Sequence, residues 1–202
     1  MSRPGDDWTT CPRCGAALGR VPRGGIPRPS CAACGFLFFA NPGVGAAVVI
    51  RDREGRVLLV QRGAGHFGAG RWCLPCGYVE WGEDIRIAAA REALEEAGVA
   101  VTVGEPVQVA SNFHEPGKPS VGIWFAATLD DPGATPVPGD DAVAVAWFDT
   151  AAPPPLAFPT DAALLARLAG AQPPAGVSAT SVPSAAASAG TRKRAKPRSC
   201  AR

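Results

Sequence analysis

Three glutamates in residues 77–99 are spaced so that they can act together. Glu92, Glu95 and Glu96 occupy helical positions i, i+3 and i+4, which at about 100° per residue places them within roughly one third of a helix circumference. The apolar residues of the segment fall on the opposite side, namely Ile87, Ala90, Leu94 and Ala97. The pattern therefore predicts a helix with one core face and one acidic face.

The chemistry that suits these carboxylates is the binding of a divalent cation. The helix is predicted to begin near Glu83 or Asp84 and to end at Gly98, a residue suited to a left-handed C-cap. Glu92 and Glu96 form a like-charge i, i+4 pair that costs about 0.2–0.5 kcal/mol and opposes the helix dipole. Mg²⁺ or Mn²⁺ would reverse that cost. The alternative is a solvated helix with a charged stripe, although this stripe contains no lysine.

Four cysteines near the N-terminus have the spacing of a structural zinc site. Cys11 and Cys14 form one C-x2-C-G unit, and Cys31 and Cys34 form a second. Two redox pairs or two disulfides are the alternative interpretations. A short segment with few large apolar side chains needs an additional constraint to fold. We therefore expect Zn²⁺ to stabilise this segment rather than to take part in chemistry.

The elements around these residues predict an α/β domain with a mixed sheet covered on both faces. The predicted strands span residues 44–50, 56–61, 99–103, 107–110, 121–129 and 142–148. A second helix is predicted for residues 162–169, capped by Thr160 or Asp161. Because the Asn41-Pro42-Gly43 turn marks a boundary, the expected organisation is a zinc module at 1–40, a catalytic domain at 41–170 and a tail at 171–202.

Charge and composition separate the tail from the rest of the chain. Residues 171–202 are rich in Ala, Pro, Ser and Gly and carry six basic and no acidic residues, which predicts a disordered tail. The tail is either a solvated segment or a weak contact for nucleic acid. No apolar run is long enough for a membrane span, and the N-terminus lacks the apolar run of a signal peptide, so cytoplasm is the expected compartment.

The arrangement of residues 77–99 resembles a known family signature. The segment fits G-x5-E-x7-R-E-U-x-E-E-x-G-U, where U is aliphatic, with Gly77, Glu83 and Arg91 followed by the three glutamates and Gly98. This is similar to the Nudix box. The succession of zinc ribbon, box, "WF" strand and "AFPT" segment further resembles zinc-ribbon Nudix hydrolases related to NADH pyrophosphatases and FAD/ADP-ribose pyrophosphatases.

The resemblance implies a fold and an activity. The expected fold is the Nudix α/β/α sandwich, and the expected reaction is metal-dependent cleavage of the pyrophosphate in a nucleoside diphosphate-linked compound. In such enzymes the residues matching Glu92 and Glu96 bind the metal, the residue matching Glu95 is a ligand or base, and a backbone carbonyl near Gly77 joins them. A homodimer is left open.

Further side chains are candidates for positioning the helix and for binding phosphate or metal. The Glu83 and Arg91 side chains are expected to pair and fix the loop against the helix, and Arg62 and Arg71 are candidates for substrate phosphate. Asp141 stands where NADH pyrophosphatase-like enzymes have a metal-binding glutamate, and a solvated loop residue is the equal alternative.

The substrate is the least determined feature of the sequence. Residues 111–116 share only the initial serine with the Ser-Gln-Pro-Trp-Pro-Phe-Pro motif of NADH-selective enzymes. ADP-ribose or FAD is therefore expected to be preferred over NADH. The alternatives are a nucleotide-pool sanitising or RNA-decapping Nudix enzyme, and a zinc-ribbon module that senses a nucleotide without cleaving it.

Overall fold

The computed structural model describes residues 3–170. Within that range the chain forms nine strands and two helices, in the order β1 (Gly19–Arg23), β2 (Ile26–Ser30), β3 (Gly43–Ile50), β4 (Val57–Arg62), β5 (Trp72–Cys73), β6 (Cys76–Tyr78), α1 (Ile85–Ala97), β7 (Val101–Asn112), β8 (Ser120–Leu129), β9 (Ala142–Phe148) and α2 (Pro159–Leu168). The tail predicted for residues 171–202 lies outside the described residues.

The N-terminal module is built around a β-hairpin. Strands β1 and β2 pair antiparallel, from Gly19 opposite Ser30 to Arg23 opposite Ile26. Gly24 and Gly25 both have positive φ, 58° and 76°, which is the requirement of the tight two-residue turn that matches strand twist. One C-x2-C-G unit precedes this hairpin and the other follows it, so the hairpin brings the two cysteine pairs together.

The larger module contains two sheets. The first has the order β6-β3-β8-β7, in which β3 and β8 run parallel and the other neighbours run antiparallel. The second has the order β5-β4-β9 and is antiparallel. The predicted mixed sheet is confirmed for the first of these. Strands β5 and β6 were not predicted, because two or three residues carry no readable alternation.

Alternation along β3 explains why helices cover both faces. Ala46 and Val48 belong to the core cluster that contains the alanines of α1. Ala47 and Val49 belong to the cluster that contains Leu164 and Leu165 of α2. Because successive side chains of a strand point to opposite faces, the two helices lie on opposite sides of the sheet. The α/β/α sandwich is confirmed.

The ends of α1 follow from local signals. Asp84 is the N-cap, and its Oδ1 accepts a hydrogen bond from the Arg86 backbone N–H at 2.8 Å. Gly98 ends the helix with φ 65°, and its N–H bonds back to the carbonyls of the last turn. Both predicted boundaries are confirmed.

Two predicted elements need correction. The strands predicted at 99–103 and 107–110 form one strand, β7, which shifts register around Pro106. Proline lacks an N–H, and an edge strand tolerates it at such an irregularity. Helix α2 begins at Pro159 with Phe158 as N-cap, so neither Thr160 nor Asp161 caps it. Both side chains are buried in the first turn, where Asp161 accepts a hydrogen bond from Trp124 Nε1.

Neither helix in residues 3–170 is long and apolar enough to cross a membrane. The division of the chain at residues 40/41 and 170/171 stays a prediction.

Candidate active site

A cavity of about 370 Å³ opens beside α1. Its walls come from β3, the end of β4, the acidic side of α1, the ends of β7 and β8 and the first turn of α2. This volume lies in the range of small-molecule sites. We call this cavity the cleft. The cleft brings together residues that are far apart in the sequence.

Two of the three helix glutamates line the cleft. Glu92 and Glu96 are only 8% and 5% exposed. The predicted division of α1 into a core face and an acidic face is wrong, because Ile87 and Leu94 are 63% and 56% exposed. The helix instead packs through small side chains, Ala88, Ala89, Ala93 and Ala97. Small residues let α1 approach the sheet closely, and this brings the two carboxylates inward with them.

The Glu96 carboxylate is held against the strand that precedes the helix. Its Oε2 accepts a hydrogen bond from the Cys76 N–H at 2.9 Å. Burial, together with the nearby Glu92 and Asp141 carboxylates, raises the pKa of Glu96 to about 8, although the Cys76 N–H and Arg62 act in the opposite direction. Burial also raises the pKa of Glu92, although Arg91 opposes this. Two buried carboxylates with incomplete compensation form an environment that a cation would stabilise.

Gly77 lies directly against Glu92. A methyl group added to its Cα would stand 2.1 Å from Glu92 Oε1, so any larger residue would displace this carboxylate. Strand β6 places Gly77 here by pairing with β3, where Ala46 is its partner. The resemblance implied that a backbone carbonyl near Gly77 joins the metal-binding glutamates, and Gly77 lies beside one of them, Glu92. Its role as a metal ligand stays a prediction.

Arg91 connects the loop before α1 to the helix. Its Nε and Nη2 donate to the two carboxylate oxygens of Glu83 at 2.8 and 3.0 Å. Its Nη1 donates to Glu92 Oε1 and to Glu95 Oε2, both at 2.8 Å. The hydrogen bonds from Arg91 lower the pKa of Glu83 to about 2. The predicted Glu83–Arg91 pair is therefore present.

Glu95 differs from its two neighbours. Its side chain is exposed and contacts Arg91. Glu95 is not among the described residues that line the cleft. The structure thus groups Glu95 with Arg91 and Glu83 rather than with Glu92 and Glu96. The spacing alone could not separate these positions, because i, i+3 and i+4 share a face only approximately.

Asp141 also lines the cleft. Its Oδ2 lies 2.9 Å from His66 Nδ1, and its carbonyl accepts a hydrogen bond from the Gly63 N–H at 2.8 Å. Among the described residues, only the four N-terminal cysteines bring three or more ligand atoms within 4.8 Å of one another. Glu92, Glu96 and Asp141 therefore share the cleft without converging on one point. Such a donor set fits Mg²⁺, which usually keeps water and substrate oxygens among its ligands.

The two predicted phosphate-binding arginines separate. Arg62 lines the cleft, where its Nε donates to the Phe67 carbonyl at 2.7 Å and its guanidinium lies 5.2 Å from the centre of the Phe158 ring. Arg71 is exposed, donates to the Leu156 carbonyl at 3.5 Å, and is not among the cleft-lining residues that the structure describes. A strand-end position does not reveal on which side the side chain falls.

Sequence reasoning missed several residues of the cleft. Phe67, His114 and Phe158 come from three separate segments, and no spacing connects them. His66 and His114 both line the cleft. Trp124 and Phe125 are buried core residues. Trp124 in addition donates from Nε1 to Asp161 Oδ1 at 2.8 Å, and this pair forms part of the cleft wall.

The four N-terminal cysteines form a compact sulfur cluster. All four Sγ atoms lie within 4.8 Å of one another, with Cys11 to Cys34 at 3.7 Å and Cys14 to Cys31 at 3.6 Å. Tetrahedral zinc with Zn–S bonds of about 2.3 Å would space its sulfurs by about 3.8 Å. The cluster therefore has the donor type and dimensions of a four-cysteine zinc site.

Cys73 and Cys76 form a third C-x2-C pair, and Cys73 is fully buried in the core. Cys76 lines the cleft at the start of β6, and its backbone N–H holds Glu96.

Comparison with known proteins decides the family. The family model described as NUDIX domain matches residues 41–168. The chain belongs to the Nudix family. It is a Nudix hydrolase, and Glu92 and Glu96 of its Nudix box line the cleft.

The curated relatives of this chain are named for different substrates. An ADP-ribose pyrophosphatase of Methanocaldococcus jannaschii is 32% identical over 124 residues, which cover 61% of this chain and 71% of that protein. A CTP pyrophosphohydrolase of Escherichia coli is 45% identical over 70 residues, covering 35% of this chain and 49% of that protein. An RNA pyrophosphohydrolase of Dinoroseobacter shibae is 50% identical over 54 residues, covering 27% and 32%. The chain thus spans less than half the length of the latter two.

Solved structures support the same fold. A NUDIX hydrolase from Nitrosomonas europaea superposes with a TM-score of 0.63 at 28% identity, covering 82% of this chain and 95% of that one. A MutT NUDIX hydrolase from Burkholderia pseudomallei gives a TM-score of 0.51 at 30% identity, covering 57% and 90%.

Proposed function

We propose that this Nudix hydrolase is a Mg²⁺- or Mn²⁺-dependent pyrophosphohydrolase of nucleoside diphosphate-linked compounds, with ADP-ribose or FAD preferred over NADH. The observation that carries the proposal is that the cleft combines acidic side chains with aromatic side chains. Glu92 and Glu96 line it together with Asp141, and Phe67, His114 and Phe158 provide aromatic surface in the same cavity. A molecule with a charged pyrophosphate and a planar ring system complements such a cavity.

The acidic end has the donor chemistry for a hard cation. Glu92, Glu96 and Asp141 are the candidate ligands, which would contact the ion directly or through water, and the Gly77 backbone lies against Glu92. When bound, the ion neutralises phosphate oxygens and lowers the pKa of a coordinated water, which supplies the nucleophile for attack on phosphorus. The close contact between Gly77 and Glu92 would fix the position of the Glu92 carboxylate, and with it the position of the bound ion.

The remaining polar residues position and balance the site. Arg91 holds Glu83, Glu92 and Glu95 at once, so it orients a ligand carboxylate without lining the cleft itself. In this proposal Glu95 positions Arg91. Arg62 lines the cleft and is partly buried there, and Lys118 lines it as well, so both are cations that would face the substrate phosphates.

A nucleoside triphosphate is the second candidate substrate. The E. coli relative is named for CTP and the D. shibae relative for RNA, and each shares at least 45% of the residues in the matched region. A module that senses nucleotides without turnover is disfavoured, because the two buried carboxylates of the signature remain in the cleft.

A substrate panel tests the proposal. ADP-ribose, FAD, NADH and the common nucleoside triphosphates are incubated with the protein and Mg²⁺ or Mn²⁺, and the products are separated by chromatography. We expect AMP and ribose 5-phosphate from ADP-ribose, with a higher kcat/KM for ADP-ribose or FAD than for NADH. Hydrolysis of none of them overturns the proposal. A tenfold preference for NADH, equal to ~1.4 kcal/mol, overturns its substrate part.

A further inference from the structure

Asp141 differs from the other two candidate ligands in the kind of element that carries it. Glu92 and Glu96 project from helix α1, whereas Asp141 lies in the connection between β8 and β9, directly before Ala142. Loops are more mobile than helices, so a carboxylate on a loop needs further contacts if it is to bind an ion at one place. The contacts of this connection fix both the backbone and the side chain of Asp141.

The connection between β8 and β9 is fastened to the end of α1. The Val137 N–H donates to the Ala97 carbonyl at 3.0 Å, and the Gly139 N–H donates to the Glu96 carbonyl at 3.2 Å. Carbonyls of the last helical turn lack partners within their own helix, so these bonds satisfy two of them. A methyl group added to the Gly139 Cα would stand 2.5 Å from the Glu95 carbonyl oxygen, so this close approach requires glycine.

A residue in the left-handed conformation directly precedes Asp141. Asp140 has φ 49°, the only positive φ of a non-glycine residue within residues 3–170. Aspartate tolerates this conformation better than most residues do. The Asp141 carbonyl accepts a hydrogen bond from the Gly63 N–H at 2.8 Å, and a methyl group on Gly63 would stand 2.5 Å from that oxygen. The backbone of Asp141 is thus fixed between α1 and the loop that follows β4.

The side chain of Asp141 is held by that same loop. His66 Nδ1 lies 2.9 Å from Asp141 Oδ2, a distance at which the ring N–H donates to the carboxylate. The His66 carbonyl accepts the Ala69 N–H at 3.1 Å. The adjacent Phe67 carbonyl accepts Arg62 Nε at 2.7 Å, so the loop around the histidine is itself anchored. With Oδ2 engaged by His66, Asp141 Oδ1 remains for an ion or for one of its waters.

We propose that His66 is a positioning residue of the metal site, which orients the Asp141 carboxylate through its Nδ1–H so that Asp141 can act together with Glu92 and Glu96. Hydrogen bonds to ligand carboxylates fix their orientation and so contribute to metal affinity. The two glutamates of α1 already have such donors. The inference rests on the proposed function, since it requires the cleft to bind a divalent cation. It goes further by giving a role to a histidine outside residues 77–99.

Manganese binding tests this role without turnover. Mn²⁺ is titrated into the full-length protein in the absence of nucleotide, and the free ion is measured by electron paramagnetic resonance. In His66→Leu the donor is lost, and we expect the dissociation constant of Mn²⁺ to rise at least about tenfold, the loss typical of a partner that orients a ligand. His66 is an exposed loop residue, so the variant should keep the melting temperature of the wild type.

Two amide variants identify which ring nitrogen matters. His66→Asn places an amide N–H near the position of Nδ1, and its dissociation constant should stay within about threefold of the wild type. His66→Gln places its amide near the position of Nε2 and should bind Mn²⁺ less tightly than His66→Asn does. Rescue by His66→Gln but not by His66→Asn would assign the role to Nε2, as a metal ligand or a base, and would overturn the proposal.

A double-mutant cycle shows whether His66 acts through Asp141. Asp141→Ala should itself weaken Mn²⁺ binding. Its control is Glu105→Ala, because Glu105 forms an exposed ion pair with Arg86 and lies outside the cleft lining of the described chain. The double variant His66→Leu/Asp141→Ala should bind Mn²⁺ no more weakly than Asp141→Ala does, since the histidine then has no carboxylate to orient. Additive losses would overturn the proposal.

The outcomes separate the positioning role from the proposed activity. Wild-type protein that binds Mn²⁺ with the expected dependence on His66 but hydrolyses no compound keeps the positioning role and defeats the hydrolase proposal. Hydrolysis of ADP-ribose together with wild-type Mn²⁺ affinity in His66→Leu keeps the activity and overturns the positioning role. No measurable Mn²⁺ binding by the wild type also overturns it, while the substrate panel decides the activity separately.

Discussion

Glu83 and Arg91 form an ion pair with two hydrogen bonds, which joins the loop before α1 to helix α1. Nε and Nη2 of the guanidinium each donate to one carboxylate oxygen, at 2.8 and 3.0 Å. Glu83 Oε2 also accepts the Glu80 N–H at 2.9 Å, so the pair ties together both sides of the loop. Paired geometry of this type is characteristic of arginine, whose planar guanidinium matches the two oxygens of a carboxylate.

Breaking this pair should reduce hydrolysis more than it affects the fold. Glu83→Gln removes the charge that Arg91 holds, and Arg91 then orients Glu92 less firmly. We expect kcat/KM to fall at least tenfold, because small displacements in an active site are costly. The matched control is Asp52→Asn, which breaks the Asp52–Arg56 ion pair of 2.7 Å in a distant turn. A Glu83→Gln rate within twofold of the wild type would refute the positioning role.

The same pair predicts a pH-dependent difference in stability. The folded pKa of Glu83 is about 2, below its ordinary value of 4.5, so the ionised side chain stabilises the folded state above pH 4.5. That contribution is lost as pH falls from 4.5 towards 2. We expect the melting temperature of the wild type to exceed that of Glu83→Gln at about pH 6, and the gap to close by about pH 2. A gap that stays constant across this range would contradict the assignment.

Gly77 tests how closely the backbone must approach Glu92. In Gly77→Ala the added methyl would lie 2.1 Å from Glu92 Oε1, and the flexible carboxylate must move away. We expect at least a tenfold loss of kcat with a melting temperature close to that of the wild type. Gly104→Ala, at a sheet position next to the Ala126 carbonyl, is the control and should keep its activity. Full activity in Gly77→Ala would show that Glu92 need not occupy its observed place.

How much of this site the sequence could predict depends on the range of each signal. The ends of α1 were predictable, since Asp84 and Gly98 cap the helix through contacts a few residues away. The buried face was not, because its exposed Ile87 and Leu94 depend on how closely the alanine face packs on the sheet. The meeting of Phe67, His114 and Phe158 in the cleft could not be predicted from the sequence either. They come from three loops that only the tertiary fold brings together.

The sulfur cluster leads to a prediction about metal content. Elemental analysis of protein purified without chelator should find one Zn²⁺ per chain, and Cys31→Ser should lose it while Cys73→Ala keeps it. Removal of zinc should unfold residues 1–40 first, with Mg²⁺-dependent hydrolysis surviving in part, because the cleft is lined by residues of the larger module. Absence of zinc in the wild type would defeat the prediction. Activity lost in strict proportion to zinc would show that the ribbon forms part of the substrate site.

The most direct test of the account compares two neighbouring glutamates. Hydrolysis of ADP-ribose with Mg²⁺ is measured for the wild type, Glu96→Gln and Glu95→Gln. In Glu96→Gln the new amide oxygen can still accept the hydrogen bond from the Cys76 N–H, so the fold should persist while the charge in the cleft is lost.

We predict that Glu96→Gln keeps less than a tenth of the wild-type rate, a difference of more than ~1.4 kcal/mol in barrier, and that Glu95→Gln loses less than Glu96→Gln does. A Glu96→Gln rate above a tenth of the wild type, or a greater loss in Glu95→Gln, would contradict the central role of the buried carboxylates.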